Sequence, residues 1–199
     1  MKTLLSLALL LLIAPSASAV SDPSPDVMGV YFDQDAWEPE LYAPPFTQFR
    51  AYVILTNPTE TQINGFEFGY DHWARPEDRN LITRVATNYP PGLIIIDPPL
   101  DPFVGSYAIG LPSPFPAAEA VVLLSWDYML LAPNLVMHLN LTEATPSSLG
   151  NGFPAYWSDT GVVSAGFAQT CFGTGARVNE FCPLPVETHS FGRVKSLYR

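Results

Sequence analysis

The sequence predicts an all-β protein, a two-sheet antiparallel β-sandwich of jelly-roll or immunoglobulin-like type that closes on a short C-terminal helical turn. Three observations lead there. Twenty-one prolines are spread along 199 residues, leaving few windows for an unbroken helix, because proline lacks an amide donor and clashes with the preceding turn. Apolar residues recur at every second position in one segment after another, the period of a strand with one buried face. The links between these segments are rich in Pro, Gly, Asn and Asp, the chemistry of turns rather than helix caps. A closed barrel is the structural alternative.

The chain opens with Lys2, an apolar run over residues 4 to 13 and the small residues Ser16-Ala17-Ser18-Ala19. That three-part layout predicts a signal peptide over residues 1–19, cleaved after Ala19. Ten residues, of which Ser6 alone is polar, are too few for a permanent span, which needs about 20. The later apolar stretch "AAEAVVLLSWDYMLLAP" is interrupted by Glu119, Ser125 and Asp127, so no transmembrane segment is predicted after cleavage. The expected location is secreted, periplasmic or cell-surface.

Residues 20–188 are expected to form a single domain, since no repeat or Ser/Gly/Pro-rich linker divides them. In "FRAYVILTN", Phe49, Ala51, Val53 and Leu55 share one face, with Tyr52 and Ile54 on the other, before the turn signal Asn57-Pro58. "TQINGFEFGYD" then returns with Phe66, Phe68 and Tyr70 on one face and Glu67 on the opposite one, so the two runs form an antiparallel pair. "LITRVAT", "GLIIID", "VGSYAIG", "AEAVVLLSWDYMLL", "NLVMHLNLT", "PAYWSD" and "GVVSAGF" supply further strands. "NYPPG", "DPPLDP", "LPSPFP", "LAPN" and "TPSSLGNGFP" are the expected turns. In the basic tail 189–199, Ser190 is placed to cap a short helical turn carrying Phe191, Val194 and Tyr198.

Charge narrows the partners. The whole chain carries 9 basic and 19 acidic residues, a formal charge of −10, and such a surface repels phosphate backbones, so nucleic acid is excluded. The two cysteines, Cys171 and Cys182, are expected to form a disulfide in an oxidising export compartment.

Two clusters qualify as candidate sites. In "YFDQDAWEPE", Asp33, Asp35 and Glu38 offer carboxylate oxygens to a hard cation, which makes calcium the one cofactor to weigh, although the central Gly of a calcium loop is missing. A solvated acidic loop is the alternative. In "YDHWARPEDRN", Trp73 stands among polar residues that belong at the surface, and an exposed large ring marks a contact site. Its neighbours His72, Arg75 and Asp78 carry donors and acceptors for a ligand's hydroxyls. Phe66, Phe68, Trp126 and Tyr128 follow the strand alternation and are read as core.

Catalysis has no motif behind it. His72, His138 and His189 are scattered, with His138 on the outer face of its strand. Ser158-Asp159 is not the Gly-x-Ser-x-Gly elbow of one hydrolase class. Asn140-Leu141-Thr142 matches a glycosylation acceptor but falls inside a predicted strand and is read as coincidence.

The apolar strand before Asn57, the Gly65 within an aromatic alternation, Tyr70-Asp71 and the long apolar strand at 119–131 together resemble bacterial cohesins and related carbohydrate-binding modules. The resemblance covers residues 46–168. The chain's end, "VETHSFGRVKSLYR", resembles the terminal segment of uncharacterised secreted bacterial proteins with sandwich domains. These resemblances imply an exported, non-catalytic module that binds a glycan or a protein outside the cell or at its surface. A secreted hydrolase acting on polysaccharide is the alternative, since carboxylate pairs for glycoside hydrolysis assemble only in three dimensions.

Overall fold

The computed structural model describes residues 22–93, 99–170 and 173–182. The signal segment 1–19, the run "LIIID" beyond its first residue, Cys171 and the tail 189–199 with its predicted helical turn lie outside the described residues.

In chain order the strands are β1 (Val27–Tyr31), β2 (Glu40–Leu41), β3 (Gln48–Thr56), β4 (Gln62–Asp71), β5 (Ile82–Asn88), β6 (Val104–Pro116), β7 (Ala120–Leu130) and β8 (Met137–Leu139). They continue with β9 (Leu141–Thr142), β10 (Ala155–Ser158), β11 (Gly161–Ser164), β12 (Gly166–Phe167), β13 (Gln169–Thr170), β14 (Gly173–Thr174) and β15 (Ala176–Val178). A short 3-10 helix, Pro76–Leu81, follows β4. One sheet runs β12-β1-β3-β7-β5 and the facing one β11-β10-β4-β6, with β9 also on β4. Both are open, so among the described residues the fold is a sandwich and not a barrel.

The predicted pair β3 and β4 exists as two strands, but they lie in different sheets. β3 pairs with β1 and β7, whereas β4 pairs with β6, β9 and β10. Local alternation fixes which side chains face inward, and it leaves the choice of neighbour to tertiary packing. The run "LPSPFP" is part of β6 rather than a turn. A register shift opposite Ile63 and Gly65 takes up its extra residues, and its prolines sit on the edge strand, where an absent N–H breaks no ladder.

The core between the sheets is dominated by rings. Phe66, Phe68 and Tyr70 of β4 and Tyr107 of β6 meet Trp126 and Tyr128 of β7, all buried. A smaller apolar cluster of Val27, Tyr31, Ala36, Ile54 and Ala168, flanked by Tyr52 and Val122, forms separately. It accounts for the apolar character of both faces of β3.

The outward face of β4 is covered as well. Glu67, on the face opposite Phe66, Phe68 and Tyr70, is 2% exposed. Its carboxylate accepts the backbone N–H and the hydroxyl of Ser148, both at 2.8 Å, and so fixes the connection between β9 and β10 as a strap. Gly69 lets that crossing lie close, since a Cβ there would collide with the Glu143 carbonyl and Thr142 Oγ1.

The third sheet, β2-β15-β8, joins distant parts of the chain. β2 runs parallel to β15, with Glu40 opposite Arg177, and β15 is antiparallel to β8, with Arg177 opposite His138. An isolated bridge extends this order to Trp73, whose N–H donates to the His138 carbonyl (2.9 Å) while His138 N–H donates to that of Trp73 (2.8 Å).

Candidate functional site

Directly opposed residues in neighbouring strands share a face. The register above therefore lines up Trp73, His138, Arg177 and Glu40 across the outer side of the small sheet. Its inner side carries Met137, Leu139, Ala176 and Val178, all buried in the core. Trp73 is 43% exposed, and its ring sits 4.6 Å from that of His138 between centroids.

Behind this stack two side chains contact one carboxylate oxygen. His138 Nε2 is 2.6 Å from Glu180 Oε2, and the same oxygen is 3.8 Å from Arg177 Nε. Burial, and then the Arg177 charge, hold the His138 imidazole below its ordinary value, with Glu180 opposing. Burial likewise lowers Arg177, again opposed by Glu180. Arg177 is buried although its strand faces outward. The backbone turns at Asn179, whose φ is positive, and Cys182 N–H donates to Glu40 Oε1 (3.1 Å).

The predicted set around Trp73 divides. Arg75 and Asp78 stay near the surface and engage each other, Nε to Oδ2 at 2.9 Å, across the start of the 3-10 helix. His72 is not a surface group: it is fully buried, packed against Tyr70 (4.9 Å), Trp126 (5.0 Å) and Tyr128 (6.3 Å). It continues the inward alternation of Phe66, Phe68 and Tyr70, a period that its polar neighbours hid. Burial and, second, the nearby Arg84 charge push its pKa down to about 3.

His138, Arg177 and Glu180 were missed as members of the site. The outward placement of His138 was legible, but its partners lie 65, 39 and 42 positions away, and no local pattern encodes such pairings.

The acidic loop folds on itself. Asp33 Oδ1 accepts the backbone N–H groups of Trp37 (3.0 Å) and Glu38 (2.8 Å). Among the described residues no group of three or more His, Cys, Asp or Glu side chains is placed to hold a metal ion, and calcium at Asp33, Asp35 and Glu38 stays an expectation. Cys171 lies outside the described residues, and its pairing with Cys182 stays an expectation.

The chain segments that flank the strands of the small sheet carry exposed aromatic rings. Tyr42 and Phe46 follow β2, Trp37 precedes it, Phe181 follows β15, and all four are exposed, as is Trp73. Aromatic side chains are the residues most enriched where proteins bury surface against partners.

No family model matches the chain, and no curated protein matches it either. Solved structures do. A cohesin module from a family 33 glycoside hydrolase of Clostridium perfringens ATCC13124 superposes with a TM-score of 0.50 at 9% identity, over 78% of this chain and 99% of that one. The sixth cohesin of Acetivibrio cellulolyticus scaffoldin B, solved in complex with a mutant Cel5 dockerin, gives 0.52 at 10% identity, over 79% and 100%. The chain thus has a cohesin-like sandwich fold.

Proposed function

We propose that this chain, a sandwich with the cohesin fold, is an exported, non-catalytic binding module that captures a protein on the aromatic face around Trp73. The observation that carries the reading is the exposed Trp73 ring stacked on His138 at the edge of the small sheet, with the exposed rings of Trp37, Tyr42, Phe46 and Phe181 in the chain segments that flank β2 and β15. Solvent-facing rings in such number are costly to leave in water and favourable to cover. The scaffoldin cohesin, solved with a dockerin bound, supports a protein as the ligand. Export rests on the signal pattern over residues 1–19, and no helix among the described residues is long and apolar enough to cross a membrane.

The test uses residues 20–199 immobilised as wild type and as Trp73→Ala. A captured protein, identified and then purified, should rebind the wild type and lose at least tenfold in affinity for the variant. Equal binding by both overturns the site. The same material on a carbohydrate array tests the glycan alternative, and reducing-sugar release tests the hydrolase. A signal in either replaces the protein reading.

A further inference from the structure

His72 is chemically out of place. Neither ring nitrogen makes a hydrogen bond among the described residues, although a buried imidazole ordinarily satisfies both. The Asn140 backbone favours the protonated ring, and its carbonyl also accepts the Asp71 N–H (3.2 Å). The groups facing the ring are Tyr70 on its own strand, Trp126 and Tyr128 on β7, and the Arg84 guanidinium on β5. No carboxylate is among them. Arg84 is fixed there, donating to Tyr70 Oη (2.8 Å) and to the Pro99 carbonyl.

The backbone at His72 is tied to both sides of the site. His72 N–H donates to the Phe103 carbonyl (2.7 Å), and the next residue makes the reciprocal bridge to His138. An imidazolium in this box would have a cation beside it, no carboxylate, and only the Asn140 backbone to favour it, which burial and the Arg84 charge outweigh, so the closed state holds the neutral ring.

We propose that His72 is an acid-operated latch on the Trp73 face: a proton taken from solvent is accommodated only when the imidazole leaves its aromatic box, and its departure breaks the Trp73–His138 bridge. The ring gains one proton and no covalent bond changes. The sign follows from the direction of the shift. A histidine whose folded pKa is depressed costs nothing above its unfolded value of 6.5, and the open state gains tenfold per pH unit as the pH falls from 6.5 toward about 3. The consequence for ligand release rests on the Trp73 face being the docking surface, whereas the opening itself needs no ligand to observe.

Amide hydrogen exchange on residues 20–199, corrected for the intrinsic rate, tests the latch between pH 7.5 and 5. The protection of the His72, Trp73 and His138 amides should lie below that of Ala51, Val53 and Leu124 in the β3–β7 ladder at every pH, because the latch opens while that ladder stays closed, and should fall about tenfold per unit below pH 6.5. His72→Phe, which fills the box without a titrating group, should abolish the fall, and His138→Gln should retain it. Protection of the latch amides equal to that of the β3–β7 ladder at every pH, or an unchanged fall in His72→Phe, overturns the latch. Should His72→Phe not fold, imidazole proton resonances of the wild type decide. The His72 signal must keep its neutral position in the folded protein down to pH 4, and a titration near 6.5 with protection intact overturns the proposal.

Discussion

Phe68 of β4 meets Trp126 of β7 edge-on across the gap between the two sheets, with ring centroids 6.1 Å apart and planes at 77°. Phe66 stacks beside Phe68 on the same strand, 6.0 Å away at 13°, and both side chains are fully buried. Truncating either ring to Ala should therefore cost about 3 to 5 kcal/mol, through lost transfer energy and the cavity left behind. Trp73→Ala removes an exposed ring and one stack on His138, and should cost about 1 kcal/mol or less. Urea melts of the three variants check this ordering, and a Trp73 variant as damaged as the phenylalanine ones contradicts it.

Glu67 offers a second test, because its carboxylate and the Ser148 donors satisfy one another in a buried place. Glu67→Ala should destabilise by about 1 to 3 kcal/mol, the cost of leaving buried donors without acceptors. Ser148→Ala, which keeps the backbone bond, should cost less. Limited proteolysis should then cut the strap between β9 and β10 earlier in Glu67→Ala than in the wild type. Unchanged protection of residues 145–153 would show that Glu67 does not hold it.

Acid acts on Asp127 in a different range from His72. Hydrogen bonds from Arg50, at 2.6 and 3.0 Å, and from Asn88 hold this carboxyl below its ordinary 3.8 despite burial, which opposes them. Its contribution is complete above pH 3.8 and disappears as the pH falls through the folded value. Because Arg50 is half exposed, the pair is worth only about 1 kcal/mol. Asp127→Asn should thus lower stability at pH 7 by that order and converge with the wild type as the pH falls through the lowered folded value, as followed by urea midpoints.

A disulfide between Cys171 and Cys182 would close a short loop and stabilise the protein by about 3 kcal/mol through the unfolded chain. Alkylation without reductant, read by mass spectrometry, should leave both thiols unlabelled, and labelling of both rules the bond out. Reduction should also loosen the segment that brings Cys182 N–H to Glu40, and with it the placement of Glu180 against His138.

Calcium should leave the melting temperature unchanged. The Asp33 carboxylate is already engaged by its own loop. A calcium-dependent rise lost in Asp35→Asn would establish the acidic loop as a metal site.

The two kinds of information in the chain explain what was readable. Period-two alternation placed Phe66, Phe68, Trp126 and Tyr128 in the core, since a slip of one residue would have put neighbours such as Glu67 and Asp127 there instead. The same rule applied one step further along β4 would have buried His72, but the polar string after Tyr70 outweighed it. Glu67 obeys the alternation and is nevertheless buried, because a strap from 80 residues downstream covers it. The row Trp73–His138–Arg177–Glu40 depends on pairings between the two ends of the domain, for which single-strand patterns carry no information.

Those end-to-end pairings have a mechanical side. β1 and β2, near one end of the described chain, run parallel to β12 and β15 near the other, fastened by Gly166 N–H to the Asp26 carbonyl, Ala168 N–H to that of Met28, Arg177 N–H to that of Pro39 and Asn179 N–H to that of Leu41. A tensile load applied to the two ends pulls parallel partners lengthwise past each other, so the bonds of each pair bear force together instead of unzipping in turn. Resistance to stretching is then set by these two short clamps and not by the larger ladders at the centre of the sheets, which stay shielded until a clamp shears.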